Sequence, residues 1–159
     1  MKKYILLFTF ILILLTGCNN SNKKVETTKT NFQKAYSIDT KLVKNMSFDE
    51  LKIFVTSNKT GVIFIGDDSE ETKFIAQIFV KNLCSCEVDQ AHYIKFSDID
   101  EDELKQILNV KEINYPIIVA FKSGKQTGYF DLNTKTDDQG DYINNVILSA
   151  YPATCSKAC

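Results

Sequence analysis

The six-residue run from Gly61 to Gly66, GVIFIG, places the strongest constraint on how this chain folds. It holds four large apolar residues in a row, with no polar residue alternating between them. A short run of this kind, bounded by glycines, is typical of a strand buried on both faces of a sheet. The run therefore predicts a central strand, and the fold class follows from the elements around it.

Helical patterns lie on both sides of this strand. A capping box at Ser47 and Glu50, within MSFDELKIFV, predicts the start of a first helix. After the strand, apolar residues at helical spacing predict an amphipathic helix from Ser69 to about Leu83. The predicted apolar stripe of this second helix consists of Phe74, Ile75, Ile78, Phe79 and Leu83.

The second half of the chain continues the alternation. AHYIKFS, residues 91–97, reads as another strand, and DIDEDELKQILNV, residues 98–110, has acids in its first turn as helices do. IIVAFKSGKQTGYFDL, residues 117–132, predicts a hairpin, and a last helix is expected over about residues 138–150. Helix, strand, helix, strand, helix, strand, strand and helix in this order predict an α/β domain with a mixed sheet.

The N-terminus indicates where the protein resides. Lys2 and Lys3 precede the apolar run Ile5 to Leu15, which is too short to span a bilayer and is typical of a signal peptide. The next residues, LTGC, resemble the lipobox of bacterial lipoproteins. The resemblance implies cleavage before Cys18 and acylation of Cys18 by chains such as palmitate, so the protein would be lipid-anchored on the outer face of the cytoplasmic membrane. An ordinary signal peptide with a chance cysteine is the alternative.

Three regions are expected along the chain. Residues 1–17 form the signal peptide, and residues 18–40, rich in Asn, Lys, Thr and Ser, are predicted to be a flexible tether. Residues 41–159 form a single domain that ends in a cysteine-containing tail. Removing residues 1–17 takes the formal charge from −1 to −3 because two lysines are lost. This weak charge, with no arginine, argues against a nucleic-acid partner.

Two further stretches resemble thioredoxin. KFIAQIF, from Lys73, is similar to the run that follows the redox motif of that family, and NYPIIVAFKSGK, from Asn114, is similar to the segment with its cis-proline and hairpin. The resemblance covers about residues 47–150 and implies a three-layer α/β/α domain. Among thioredoxin relatives, the chain most resembles the small, lysine-rich extracytoplasmic proteins that accompany bacteriocin transport.

The family's redox motif is the point at which this chain departs from the pattern. The positions of its Cys-x-x-Cys fall on Ser69, Glu70, Glu71 and Thr72, and a hydroxyl cannot form a disulfide. No base for an activated serine is visible, since the only histidine, His92, lies in a predicted strand. The residues DDSEET are therefore predicted to cap the start of a helix and to contain no catalytic residue. We expect no cofactor and no metal there.

The resemblance to thioredoxin implies a role for Pro116 in peptide binding. In the family, a cis-proline holds the preceding residue against the active-site turn and leaves backbone groups able to pair with an extended peptide. Here Tyr115 precedes Pro116, so Ser69, Tyr115 and Pro116 form a candidate peptide-binding surface. A trans proline that only shapes the start of a strand is the alternative.

Four cysteines remain besides Cys18, and they are Cys84, Cys86, Cys155 and Cys159. An even number in an oxidising compartment favours disulfides, with three possible pairings. The thioredoxin topology implies that both pairs meet at the pole opposite Ser69. Structural cross-links are the first interpretation, and a redox-active Cys-x-Cys pair, a zinc site or free thiols are the others.

Together these features predict a membrane-anchored thioredoxin-like lipoprotein with a redox-inactive turn. Its expected role is that of a binding or accessory protein in the cell envelope, with a peptide or another envelope protein as partner. The alternative is an atypical thiol-disulfide oxidoreductase that uses Cys84 and Cys86 together with Cys155 and Cys159.

Overall fold

The computed structural model describes residues 30–151, and within that range the chain alternates between helices and strands. The elements are α1 (Asn31–Tyr36), β1 (Val43–Asn45), α2 (Phe48–Thr56), β2 (Gly61–Gly66), α3 (Glu70–Ser85), β3 (Ala91–Lys95), α4 (Glu101–Leu108), β4 (Ile117–Lys122), β5 (Lys125–Phe130) and α5 (Gln139–Ala150), with a 3-10 turn at Phe96–Asp98.

The five strands form one mixed sheet in the order β1-β3-β2-β4-β5. Strand β3 runs parallel to both β1 and β2, whereas β4 is antiparallel to β2 and β5 is antiparallel to β4. Strand β2 lies in the centre, and all six of its residues are buried. The predicted central strand and the predicted mixed sheet are both confirmed.

Helices cover both faces of the sheet. Successive side chains of β2 point to opposite faces and therefore belong to different cores. Val62 and Phe64 belong to a core that includes residues of α1, α3 and α5. Ile63 and Ile65 belong to a second core that includes residues of α2 and α4. The result is the three-layer α/β/α arrangement of a thioredoxin-like fold, as predicted.

Strand directions define two ends of the domain. The parallel strands β1, β2 and β3 end on the same side, where Gly66 pairs with Lys95. Residues that directly follow these ends, together with the start of β4, form what we call the turn pole. The β4–β5 hairpin turns at the other end through Ser123 and Gly124, both with positive φ, as a two-residue type I′ loop requires. We call that end the opposite pole.

The domain begins earlier than the sequence predicts, so the assignment of residues 31–40 to the tether is wrong. A capping box at Thr30 and Gln33 starts α1, in which Phe32 is fully buried and Tyr36 is 4% exposed. The ring of Phe32 lies 5.7 Å from that of Phe64 and 5.4 Å from that of Tyr93. Apolar contact with the sheet therefore holds a segment whose composition is otherwise polar.

Phe74 also departs from the prediction, because it is exposed although the helical spacing predicts that it belongs to the apolar stripe of α3. The side chain is 57% exposed. The buried face of α3 instead consists of Thr72, Ile75, Ala76, Phe79 and Leu83. Phe74 lies about 100° around the helix from Ile75, which places it at the edge of the buried face.

Replacing Phe32 by alanine tests whether α1 belongs to the folded domain. We expect Phe32→Ala to lower the free energy of unfolding by about 3–5 kcal/mol, because it removes a buried ring from a packed aromatic cluster. Urea unfolding of the non-acylated Cys18→Ser chain measures this change. Lys34→Ala, an exposed substitution on the same helix, is the matched control and should change stability by less than about 0.5 kcal/mol. Equal effects of the two substitutions would contradict the assignment.

Candidate functional site

Ser69 begins α3, directly after the turn that follows β2. Its backbone is extended, and its Oγ accepts a hydrogen bond of 3.2 Å from the backbone amide of Thr72. Glu70 and Glu71 occupy the first turn of the helix, where acids interact favourably with the helix dipole. The helix-start interpretation of DDSEET is confirmed.

Asp67 organises this turn through one carboxylate oxygen. Oδ1 of Asp67 accepts from the Oγ of Ser69 at 2.7 Å, from the Oγ1 of Thr72 at 2.5 Å and from the backbone amide of Ser69 at 3.1 Å. Thr72 is completely buried. Both hydroxyl groups thus converge on the same carboxylate oxygen, and the Oγ of Ser69 also lies 2.9 Å from the Oγ1 of Thr72. We call this cluster the Asp67 network.

These hydrogen bonds keep Asp67 ionised. Partial burial alone would raise the pKa of the Asp67 carboxyl, but the bonds from Thr72 and Ser69 outweigh it, so that the pKa lies below its ordinary value. An ionised acceptor orients the two hydroxyls toward itself. A hydroxyl oxygen cannot take the place of sulfur in a mixed disulfide, so neither Ser69 nor Thr72 can carry out thiol–disulfide exchange.

Two tyrosines support the turn from the α1 side. The hydroxyl of Tyr36 donates to the backbone oxygen of Asp67 at 2.9 Å, and the hydroxyl of Tyr93 lies 3.5 Å from the backbone oxygen of Gly66. Burial raises the pKa of both tyrosines, so both remain neutral donors. A methyl group on Gly66 would lie 2.8 Å from the Tyr36 oxygen and 2.6 Å from Thr72 Cγ2. Glycine is therefore required at this position.

The predicted cis-proline lies beside the same turn. The Tyr115–Pro116 peptide bond is cis, as expected. Ile117 pairs with Ile65, so Pro116 follows the sheet register to the level of Gly66. Ser69 and Pro116 are therefore both at the turn pole, although Pro116 is buried and Ser69 only partly so.

Tyr115 packs against another aromatic residue at this pole. Its ring centre lies 4.3 Å from that of Phe96. Burial, and to a smaller extent the charge of Glu101, raises the pKa of Tyr115 to about 12. Within residues 30–151, its buried hydroxyl has no hydrogen-bond partner. The side chain thus adds an aromatic wall to the turn pole.

Exposed apolar side chains occur at the turn pole and on the helix that begins there. Of the five large hydrophobic residues exposed in the described part of the chain, Phe96 (38%) and Leu132 (36%) lie at the pole, and Phe74 (57%) lies in the second turn of α3. Leu132 is held next to the cis-proline segment, because its amide donates to the backbone oxygen of Asn114 at 3.1 Å. We call these three residues the apolar rim. Exposed apolar groups gathered in one region are typical of an interaction surface.

An open cavity of about 550 Å³ lies between α1 and the turn. Its lining consists of Asn31, Lys34, Ala35, Asp68, Lys73, Tyr93 and Lys95. Lys95 pairs with Asp68 at 3.4 Å, and Lys73 pairs with Glu70. No acidic residue between positions 30 and 151 lies within salt-bridge distance of Lys34. We call this site the lysine cavity.

Cys84 and Cys86 lie away from the turn, as predicted. Cys84 is in the last turn of α3, and Cys86, at its C-terminal end, is fully buried with its Sγ 3.1 Å from Asn144 Oδ1 of α5. The C-terminal end of α5 is also at the opposite pole, since a methyl group on Gly61 would lie 3.6 Å from the Tyr151 oxygen. Cys155 and Cys159 follow α5 in sequence and lie outside the described residues.

His92 is far from Ser69. It is a partly exposed residue of β3 that pairs with Ile63, three residues before the end of β2. Burial, with a smaller effect of Lys44, lowers its pKa. It is therefore not placed to act as a base for Ser69. Within the described part of the chain, His, Cys, Asp and Glu side chains form no group of three or more that could hold a metal ion.

Sequence reasoning missed two features of this site. It found Ser69 and the acids of the turn but not the convergence of both hydroxyls on Asp67, since spacing alone does not show which oxygen accepts. It also missed Tyr36 and the lysine cavity, because α1 was assigned to the tether. The Thr30–Gln33 capping box was the signal that could have revealed α1.

Comparisons with known proteins give a family match for the N-terminal residues and similar solved structures for the folded part of the chain. Residues 1–19 match the family described as "Prokaryotic membrane lipoprotein lipid attachment site". The chain thus carries a lipoprotein attachment site that includes Cys18. No curated protein matches the chain. Between residues 30 and 151, none of the helices is long and apolar enough to cross a bilayer.

Two solved structures are similar at low identity. The J-Trx1 fragment of ERdj5 is 15% identical, with a TM-score of 0.49, and the match covers 74% of this chain and 54% of that fragment. Chloroplastic thioredoxin z is 12% identical, with a TM-score of 0.47, and the match covers 72% of this chain and 98% of that one. This chain spans about half the length of the ERdj5 fragment.

Replacing Asp67 by asparagine tests the network. We expect Asp67→Asn to lower the free energy of unfolding at pH 7 by about 1–3 kcal/mol, because hydrogen bonds to a charged acceptor are lost. The folded-state pKa of Asp67 is lowered. Its stabilisation is therefore present above the unfolded pKa and disappears as the pH falls through the folded value.

Urea unfolding of both chains between pH 7 and acidic pH checks the prediction. The difference between wild type and Asp67→Asn should shrink on acidification. Asp68→Asn is the matched control, because Asp68 contributes one exposed ion pair with Lys95. An equal loss of stability in both variants would contradict the prediction.

Proposed function

We propose that this protein is a lipid-anchored binding protein of the cell envelope that holds an extended segment of a partner at its turn pole, without thiol chemistry. Acylation at Cys18 would fix it to the outer face of the cytoplasmic membrane. The match of residues 1–19 to a lipoprotein attachment site supports the anchor. The Asp67 network is the observation that carries the rest of the proposal.

The Asp67 network favours binding over redox catalysis. A thioredoxin-type nucleophile is a thiolate at the start of the helix, and its pKa is lowered there by the helix N-terminus. In this chain Ser69 stands at the start of that helix, and Thr72 follows in the first turn. Both are hydroxyls bonded to an ionised carboxylate. Neither can form the mixed disulfide through which exchange proceeds.

The surroundings of the turn fit an extended peptide. Ser69, Tyr115 and Pro116 would provide the floor of the site, and the apolar rim would contact the side chains of the bound segment. Aromatic residues such as Phe74 and Phe96 supply large contact areas and are enriched at protein interfaces. The resemblance to proteins that accompany bacteriocin transport extends this proposal to an export or immunity helper.

We assign a structural role to the remaining cysteines. Cys84 and Cys86 would be cross-linked to Cys155 and Cys159, pinning the tail to the end of α3. Two observations support this role: Cys86 is fully buried, and α5 ends at the same pole. The rival function, a thiol oxidoreductase that uses these four cysteines, requires accessible sulfurs. The burial of Cys86 argues against it.

A gain-of-function experiment separates the two functions. We expect wild-type protein to catalyse no insulin reduction by dithiothreitol above background. Ser69→Cys combined with Thr72→Cys should introduce weak turnover, which rises when Asp67→Asn is added. The rise is expected because a carboxylate next to a thiol disfavours the thiolate. Ser69→Cys alone is the control, since a single thiol cannot close an intramolecular disulfide.

The outcome that would contradict the binding proposal is specific. Turnover by the wild-type chain that disappears in Cys84→Ser, with the fold retained in circular dichroism, would establish the oxidoreductase instead. Peptide mapping without reduction would then show whether Cys84 and Cys86 are paired with each other or with the tail.

Binding at the apolar rim can be measured directly. Peptides are first selected from a random display library on the wild-type protein. We expect Phe74→Ser to raise their Kd about tenfold, which corresponds to about 1.4 kcal/mol. Ile53→Ser is the matched control, because Ile53 is equally apolar and 62% exposed but lies on α2, outside the rim. If both substitutions leave Kd unchanged, the rim is not the binding surface.

A further inference from the structure

The chain joins the domain at the turn pole. Thr30 precedes α1, and the backbone amide of Asn31 donates to Oδ1 of Asn45 at 3.0 Å. Asn45 is the last residue of β1, which ends on the same side as β2. The tyrosine at the end of α1, Tyr36, donates to the backbone of the turn itself. The point at which the chain leaves the domain toward its N-terminus is therefore beside the candidate site.

The chain that separates this point from the proposed anchor is short. Cys18 precedes Thr30 by 12 positions. Whatever its conformation, a chain of that length spans at most about 43 Å. A domain of this size has a radius of gyration of about 14 Å, so its diameter is close to the same length. The turn pole therefore cannot move far from the bilayer.

A bilayer also excludes orientations of the domain. It is a wall that a folded domain cannot enter, so a domain attached through one point on its surface is biased to present that point to the wall. Here the attachment point is next to α1 and the turn. The hairpin at Ser123 and Gly124 lies at the other end of the sheet, so this bias would direct it away from the membrane.

We propose that the turn pole faces the bilayer and that its partner is an extended extracytoplasmic segment of an integral membrane protein, with apolar side chains and an acidic residue. This inference rests on the proposed lipid anchor and on binding at the apolar rim. A segment that emerges from the bilayer is presented at the height of the turn pole. A partner free in solution would gain nothing from this placement.

The positive charge of the lysine cavity is the reason for expecting an acidic residue in the partner segment. The lysine cavity lies between α1 and the turn, and its lining includes Lys73, the residue that precedes Phe74 on α3. Two of its lysines, Lys73 and Lys95, are paired with Glu70 and Asp68. Lys34 is the cavity lysine without an acidic partner in the described part of the chain. A carboxylate on the bound segment would complement Lys34 while apolar side chains of the same segment contact the rim.

The orientation is tested by energy transfer in membranes. The acylated chain carries a fluorescent noncanonical amino acid at position 74 or, as matched control, at the exposed position 122 in the hairpin. Vesicles of phosphatidylglycerol and phosphatidylethanolamine contain an acceptor dye on the lipid headgroups. We expect more efficient transfer from position 74 than from position 122. Equal or reversed efficiencies would overturn the orientation.

The partner is tested by site-specific photo-crosslinking in cells that produce the protein. A benzophenone amino acid at position 74 should give an adduct with an extracytoplasmic segment of an integral membrane protein. The same group at position 122 should not, and Cys18→Ser should abolish the adduct. Lys34→Glu should reduce the adduct, whereas Lys122→Glu should not. An adduct with lipid, with a soluble protein only, or insensitive to Cys18→Ser would overturn the inference.

These experiments also distinguish failure of the inference from failure of the proposed function. Wild-type protein that does not fractionate with membranes would refute the anchor on which both depend. Membrane-bound protein with the expected transfer order but no adduct at position 74 would refute binding at the rim. Membrane-bound protein with an adduct to a soluble protein would retain the proposed function and refute the inference.

Discussion

The carboxylate of Asp67 is the interaction on which the candidate site depends. This carboxylate accepts hydrogen bonds from the hydroxyls of Ser69 and Thr72 and from one backbone amide of the turn. These bonds stabilise the connection between the buried strand β2 and the amphipathic helix α3. The helix start would otherwise leave backbone donors exposed next to the buried end of β2. The same hydrogen bonds lower the pKa of Asp67, so that its charge and the geometry of the turn maintain each other.

Oxygen in place of sulfur changes what such a turn can do. A thiol at the start of a helix gains from becoming a thiolate, because the helix dipole stabilises the negative charge. In this chain the negative charge is already present on Asp67, and Ser69 and Thr72 are its donors. What the turn retains is its shape, with the cis Tyr115–Pro116 bond alongside and apolar side chains around it. This arrangement supports the proposed binding role.

The sequence predicted the parts of the fold that strong local patterns determine. The buried run GVIFIG became β2, and the capping box at Ser47 and Glu50 starts α2 as expected. Helix α1 escaped prediction because only two of its residues, the aromatic pair Phe32 and Tyr36 at i and i+4, are apolar and buried in a polar stretch, which is too few to define an apolar stripe. Their burial depends on contacts with strands distant in sequence, such as that between Phe32 and Phe64.

The candidate site was predictable in its location but less so in its surface. The resemblance to thioredoxin indicated Ser69 and Pro116, and both lie at the same pole. The exposure of Phe74 was not predictable, because a helical period defines an apolar stripe without showing where its edge meets solvent. Which cysteines pair is likewise beyond sequence reasoning, since pairing depends on the distances between side chains in the folded chain.

Gly66 has a consequence for how this corner of the molecule behaves. Because it carries no side chain, the hydroxyl of Tyr36 reaches the backbone of the turn directly, and Thr72 packs against the same position. Movement of the first helix away from the turn would break this hydrogen bond, so displacements of the two elements are coupled. A partner that docks at this corner would therefore meet two elements that are already tied to each other.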